Sequence, residues 1–353
     1  MNSLSLISQF LPIIFLVALG ALLGKQGFLT GPMTEGLKRI VSSISLPALL
    51  FLAFSRVSVE GRLGLLAFAV FISCALLGFS ALLPVKLFSL PKGATVLLFQ
   101  GFEAGMLGYA LFTSFYGKSA LPAFASADLG QVIYVFTVLM FQLQRVDSSA
   151  AGKEWSGDKG QTKGKQGPPG SRSQPDGQEI PKGKVQELRA ILIGLLSSPV
   201  ILAIISGLLA SIWFPGARGT PWDEGGFLYP LLSTVGSVTT PLVSLVVGFG
   251  LKDLSLANVT KSLLLILSRL VAVILFALGI IKLLLPALGY GFIQALAVIS
   301  LFILPPPFII PVFKKDDEDR ALISTVLSLH TLVAIVFAFG IALIWGNSQL
   351  GSP

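Results

Sequence analysis

Four ionisable side chains lie where an apolar chain should carry none. Glu103 and Asp128 are the only two of the 17 carboxylates that fall well inside the long apolar runs, Arg269 is the clearest cation there, and His330 is the only histidine. A charge at the centre of a membrane helix costs about 3 kcal/mol even on lenient insertion scales, so such residues face the interior, pair with one another, or work. Glu103 stands beside Gly101, Gly105 and Gly108, where backbone can unwind, and it is the first candidate for binding or proton chemistry. Asp128 divides between a structural hydrogen bond and a part in coupling. Arg269 sits about eight residues into its run, roughly 12 Å deep, where it either meets a counter-ion or solute or snorkels toward the cytoplasm. His330 has no Cys, His or carboxylate cluster around it, so no metal site is expected, and it divides between packing and a proton relay.

The surroundings of these residues are apolar throughout. Hydrophobic residues make up 54% and charged residues 12%, with mean hydropathy +0.85; a soluble domain carries about 25% charged residues. Apolar runs of the length that crosses about 30 Å of hydrocarbon fall at about 5–24, 40–55, 63–83, 94–115, 120–143, 190–213, 227–251, 262–285, 291–313 and 321–345. The expected fold is an all-α polytopic membrane protein of ten spans. The first run lacks a basic n-region and a small-residue cleavage site, so it reads as a mature helix. The single cysteine, Cys74, excludes an internal disulfide.

The net charge of +8 reads as orientation rather than affinity for nucleic acid. With the N-terminus outside, nineteen Lys and Arg fall in inner loops, nine of them between 145 and 189, against five in outer loops (Arg56, Arg62, Lys118, Arg218 and Lys282). That satisfies the positive-inside rule and places both termini outside a cell membrane with the 145–189 loop in the cytoplasm. Residues 145–189 are rich in Gly, Pro, Ser, Lys and Gln, too poor in aliphatics to fold alone. They read as a flexible linker between units 1–144 and 190–353.

Those two units repeat one another. Pro12-x7-Gly20 recurs as Pro199-x7-Gly207, and Val41-Ser42-Ser43-Ile44-Ser45-Leu46-Pro47 as Val235-Gly236-Ser237-Val238-Thr239-Thr240-Pro241. Ala120-Leu121 and Ala321-Leu322 are each followed, sixteen residues after the Ala, by Phe136 and Phe337. Five spans per unit force the second to enter from the opposite side, which makes the repeats inverted. In secondary transporters the site lies between such repeats at the midplane, on interrupted helices. Span nine carries Leu304-Pro305-Pro306-Pro307-Phe308-Ile309-Ile310-Pro311, through which no α-helix can run. Span four has the glycines instead. Broken backbone at this depth is tolerated only inside protein or beside a water-filled cavity. Pro47 and Pro241 each follow a Ser/Thr-rich turn whose hydroxyls can serve carbonyls freed by the proline, and they divide between kinks and solute contacts.

Taken together, these residues resemble the auxin efflux carrier family, which includes PIN-type auxin exporters and bacterial malate and malonate permeases. The resemblance rests on Leu46-Pro47-Ala48-Leu49-Leu50-Phe51, Gly105-Met106-Leu107-Gly108, Pro241-Leu242-Val243 and the proline run of span nine, and it covers all but the linker. It implies two inverted five-helix repeats, broken helices four and nine crossing at the solute, and an elevator-like movement. The solute site it implies takes in Glu103, Gly105, Gly108, Tyr109, Gln131, Pro305, Pro306, Pro307, Pro311, Pro47 and Pro241. Glu103 stands where the family pattern has Asn, Ala110 replaces its proline, Ile309 and Ile310 stand where an Asn usually follows the prolines, and Gln131 falls at a pocket glutamine. An acidic Glu103 would repel an anion unless protonated, neutralised by Arg269 or occupied by a cation.

The expected function is therefore secondary transport of a small organic solute, foremost a carboxylate, without cofactor. H⁺ and Na⁺ are the candidate coupling ions, and a homodimer is the candidate assembly. A Na⁺/H⁺ antiporter or bile-acid-type sodium symporter is the alternative within transport, and a receptor or sensor the alternative outside it. An intramembrane enzyme would need a catalytic dyad or a metal cluster, and the sequence offers neither.

Overall fold

The structure is a computed structural model that describes residues 3–143, 198–251, 259–313 and 317–345. The linker expected at 145–189 lies outside the described residues, as do Lys252, Lys314 and Lys315. Eleven helices are labelled here: α1 (Ser3–Lys25), α2 (Gly31–Phe54), α3 (Gly61–Phe88), α4 (Lys92–Phe99), α5 (Ala104–Tyr116), α6 (Lys118–Leu143), α7 (Pro199–Trp213), α8 (Tyr229–Gly250), α9 (Val259–Ala287), α10 (Phe292–Phe302) and α11 (Asp317–Trp345). No strand occurs among the described residues.

Six of these helices are long and apolar enough to cross a bilayer, and the pair α4 and α5, bent by 41° at its break, makes a seventh if it is one span. The described parts of α1, α7 and α10 are shorter apolar helices. Many large apolar side chains point outward, among them Phe15, Phe68, Phe79, Leu83, Leu267 and Leu275. Their number suits a surface wetted by lipid rather than water.

The second span begins earlier than the hydropathy suggested, because Gly31–Ile40 is helical and runs on into the apolar part. Its strain from Pro47 is absorbed by a wide π turn at Val41–Ser45, where the Leu46 N–H reaches back five residues to the Val41 carbonyl. The hydroxyls expected to serve freed carbonyls do so unevenly. Ser42 bonds Arg39 O, but buried Ser45 has no partner. In α8 the break falls at Val238, with Ser237 on Thr234 O and Thr239 unpartnered.

Hydrophobic driving force between helices is weak in lipid, so close packing falls to small residues. α1 lies along the Thr239–Gly250 half of α8, and α7 lies along α2. Each contact is a glycine against backbone: a Cβ on Gly20 would strike Leu245 O, one on Gly248 would strike Val17 O, and one on Gly207 would meet Phe54 Cβ and Phe51 O. α3 packs on α6 in the same way, with Gly130 against the Ala67 carbonyl. α6 also touches α10, and α9 touches α10 and α11, which places both broken segments between α6 and α9.

Candidate functional site: a crossing of two broken helices

α4 stops at Phe99 because Gln100 turns extended (φ −91°, ψ 136°) and Gly101 goes left-handed (φ 67°). Only glycine suits Gly101 on two counts. The positive φ disfavours any Cβ, and a Cβ here would lie 2.8 Å from Val135 and 3.1 Å from Pro307. α10 stops at Phe302, and Pro305–Pro307 run on without helix to the short 3₁₀ turn Ile310–Phe313. The unwinding is narrower than the glycines suggested. It spans Gln100 to Glu103, while Gly105 and Gly108 sit in a π turn that opens α5. Gly108 serves approach: a Cβ there would meet Leu304 Cδ1 at 2.6 Å and Phe124 at 2.8 Å.

The two breaks are stitched together at one residue. The Glu103 amide donates to Pro305 O at 2.8 Å. Its side chain accepts from Met106 N at 3.1 Å through Oε1 and from Phe308 N at 2.6 Å through Oε2. One carboxylate thus takes amide protons from both broken segments, from the first turn of α5 on one side and from non-helical backbone on the other. Glu103 is 8% exposed, beside half-buried Gly105, Met106 and Phe308.

Arg269 performs the complementary task. It is fully buried in α9, with NH2 donating to Gly101 O at 2.7 Å and NH1 to Leu304 O at 2.8 Å. Those carbonyls follow directly on α4 and α10, where helix dipoles leave partial negative charge. Its guanidinium also lies 5.3 Å from the centre of the Phe102 ring, and Phe102 packs on Phe302 at 4.8 Å. Arg269 therefore neither snorkels nor neutralises Glu103: among the described residues no ion pair joins it to either buried carboxylate. Each charge is matched to backbone of opposite polarity instead.

α6 holds the break from the other side. Gln131 Nε2 donates to Phe102 O and to Asp128 Oδ1, both at 3.0 Å, and Tyr109 OH donates to Asp128 Oδ2 at 3.1 Å. Asp128 and Gln131 are both buried, and Gln131 Oε1 has no partner. Further out, Tyr134 OH donates to Gln100 Oε1 at 2.6 Å and Gln100 Nε2 to Gln142 at 3.0 Å, while Gln294 of α10 donates to Ala123 O of α6. Gln100, Gln142 and Gln294 were not singled out from the sequence, although they are polar residues in apolar runs and the same cost argument reaches them. The amides of Met106 and Phe308 leave no side-chain signal at all.

The crossing thus brings together Glu103, Gly105, Gly108, Tyr109, Asp128, Gln131, Arg269, Pro305 and Pro307. Pro306 lies between the latter two, and Pro311 lies further on in the 3₁₀ turn. Pro47 and Pro241 are neighbours rather than shown contacts: Leu46 would lie 3.3 Å from a Cβ on Gly105, and the Thr239–Gly250 half of α8 packs on the Ala104–Gly108 turn. His330 is fully buried beside the Ile303 backbone and within electrostatic range of Arg269, with neither ring nitrogen in a well-formed hydrogen bond.

A cleft of about 730 Å³ lies elsewhere, between α3 and α9. Its three serines, Ser73, Ser80 and Ser268, spend their hydroxyls on Ala69, Leu77 and Leu264 carbonyls of their own helices. That leaves an apolar groove with no group to orient a polar solute. Among the described residues no group of three or more His, Cys, Asp or Glu could hold a metal ion.

A search of curated proteins finds no match to the chain. The family described as membrane transport protein matches residues 5–342, nearly the whole length. With two broken segments crossing inside an all-helical, outwardly apolar body, the chain belongs to that family of membrane transporters, the auxin efflux carrier family.

Proposed function

We propose that the chain is a secondary transporter that moves a small organic solute by alternating access, with the crossing of the two broken segments as its site. One observation carries the reading: the Glu103 carboxylate accepts amide protons from both segments, Met106 on one and Phe308 on the other. A solute or ion that competes for that carboxylate changes how the two segments are joined, which is what coupling binding to movement requires.

The packing supports two inverted five-helix repeats. α1 lies on α8 as α7 lies on α2, the pairing expected when the first and second spans of each unit exchange partners. Glycines of the repeated Pro-x7-Gly signature, Gly20 and Gly207, stand at both contacts. On this reading α1, α2, α7 and α8 form a frame, the remaining helices carry the site, and an elevator-like displacement of one against the other exposes it alternately. The excess of basic residues in inner loops favours both termini outside.

Coupling to a cation is part of the proposal, since two buried carboxylates face one guanidinium. The same observation keeps a sodium- or proton-linked exchanger as the second reading. The test is flux in proteoliposomes of the full chain, loaded with a panel of carboxylates, amino acids and amines and driven by an imposed H⁺ or Na⁺ gradient. Gradient-driven accumulation of one solute supports the proposal. Specific ligand binding with no flux of any panel member under either gradient would point to a receptor instead.

A further inference from the structure

Two backbone amides aimed at one point make a seat for a carboxylate, and in this chain the seat is already filled. Met106 N and Phe308 N converge on Glu103 from separate segments at 3.1 and 2.6 Å. Accepting one bond at each oxygen leaves further lone pairs of the carboxylate free. Gly105 lies beside it, with a Cβ there 4.0 Å from Oε1 and 3.3 Å from Leu46 Cδ2.

The rest of the buried charge is committed elsewhere. Arg269 spends NH1 and NH2 on the Leu304 and Gly101 carbonyls, and Asp128 takes its protons from Tyr109 and Gln131. The nearby formal cation is Lys38, within electrostatic range of Glu103 but exposed and paired with Glu35 at 3.7 Å. Among the described buried side chains two carboxylates thus stand against one guanidinium, and no cation touches Glu103. Gln131 Oε1, itself buried, is a second acceptor left without a donor. Beside that spare acceptor the crossing holds one spare donor, the Arg269 Nε–H, which belongs to a guanidinium already bound to two carbonyls.

We infer that Glu103 is a resident occupant of a carboxylate seat and sets the solute specificity of the crossing. While Glu103 fills the seat, an external carboxylate is excluded from the two amides. The solute meets the crossing through hydrogen-bond donors or a positive charge, taken up by the free lone pairs of Glu103 and by Gln131 Oε1. This rests on the crossing being the transport site, and it narrows the organic solute from a carboxylate to a donor-bearing one.

Acetate titration of the purified full-length protein in nanodiscs tests it, with thermal unfolding as readout and KCl at matched ionic strength as control. Glu103→Ala opens the seat, and acetate should raise its Tm saturably, as a ligand that binds only the folded state does. Wild type and Glu103→Gln, whose side chains still fill the seat, should show no acetate shift beyond that of KCl. If Glu103→Ala does not fold, Glu103→Asp takes its place: one methylene short, its carboxylate cannot span both amides and leaves the Phe308 N–H to acetate. An equal acetate shift in wild type, or none in a folded Glu103→Ala or Glu103→Asp protein, overturns the inference. Failure of the transport reading shows up separately, as absence of flux, and leaves the titration intact.

Discussion

Replacing Arg269 by Met removes a group that holds both breaks from the carbonyl side. Its side chain is fully buried and donates to Gly101 O and Leu304 O at 2.7 and 2.8 Å. A buried acceptor stripped of its partner costs about 1–3 kcal/mol, so two orphaned carbonyls cost about 2–6 kcal/mol. Relief of the guanidinium's own desolvation offsets part of this, while loss of its contact with Phe102 adds to it, which places the expected loss near the middle of that range, about 3–5 kcal/mol. Arg269→Lys separates charge from geometry. An ammonium keeps the positive charge but lacks the rigid fork that reaches two carbonyls at once, so about half of the loss should remain. The assay is reversible unfolding in a denaturing-detergent titration of the purified protein, with both variants run beside wild type. A Met variant within about 0.5 kcal/mol of wild type, the scatter of ordinary surface substitutions, would refute the claim that Arg269 braces the crossing. A Lys variant as stable as wild type would refute the claim that the fork matters.

Two further pairs of substitutions probe the elements around the crossing by the same unfolding assay. Gly130→Ala puts a Cβ into the Ala67 carbonyl and should cost about 1–3 kcal/mol or more as α3 is forced off α6. Gly64→Ala in the same pair of helices meets nothing within 4 Å and should be neutral or stabilising by up to about 1 kcal/mol; equal effects at the two sites would contradict the packing. Gln131→Leu removes the donor shared by Phe102 O and Asp128 and should cost about 2–4 kcal/mol, against less than about 1 kcal/mol for Glu60→Ala, whose pair with Arg62 is exposed on both sides.

Much of this arrangement was legible before the fold was known. The apolar runs gave an all-helical body, of whose ten expected spans six or seven are long and apolar enough among the described residues, and Pro305–Pro307 gave one break. The glycines of span four gave the other, though only the fold shows that Gly101 carries the left-handed turn while Gly105 and Gly108 are helical. The cost of burying charge singled out Glu103, Asp128 and Arg269 correctly as interior residues. Their partners were not legible. Arg269 and Glu103 bind backbone, and a peptide carbonyl or amide carries no mark in the sequence to say that it will be left open by a break. Neutralisation of Glu103 by Arg269 was one of three expectations from residue types, beside protonation and a bound cation; open backbone groups supplied the partners of both side chains instead. Pro47 was similarly ambiguous, since its cost is absorbed by a π turn at Val41–Ser45 rather than by the neighbouring hydroxyls alone.

The central claim is that Glu103 joins the two broken segments at the place where solute is handled. Glu103→Gln tests it with little change of shape, because the amide keeps one acceptor oxygen but turns an NH₂ toward one of the two N–H groups that the carboxylate satisfied. Initial flux in proteoliposomes, measured with whichever solute the panel identifies and across a range of pH, is the direct measurement. A loss of at least about tenfold, equivalent to about 1.4 kcal/mol, is expected for Glu103→Gln, with wild-type flux for the exposed control Glu35→Gln. Flux and pH dependence unchanged in Glu103→Gln would contradict it.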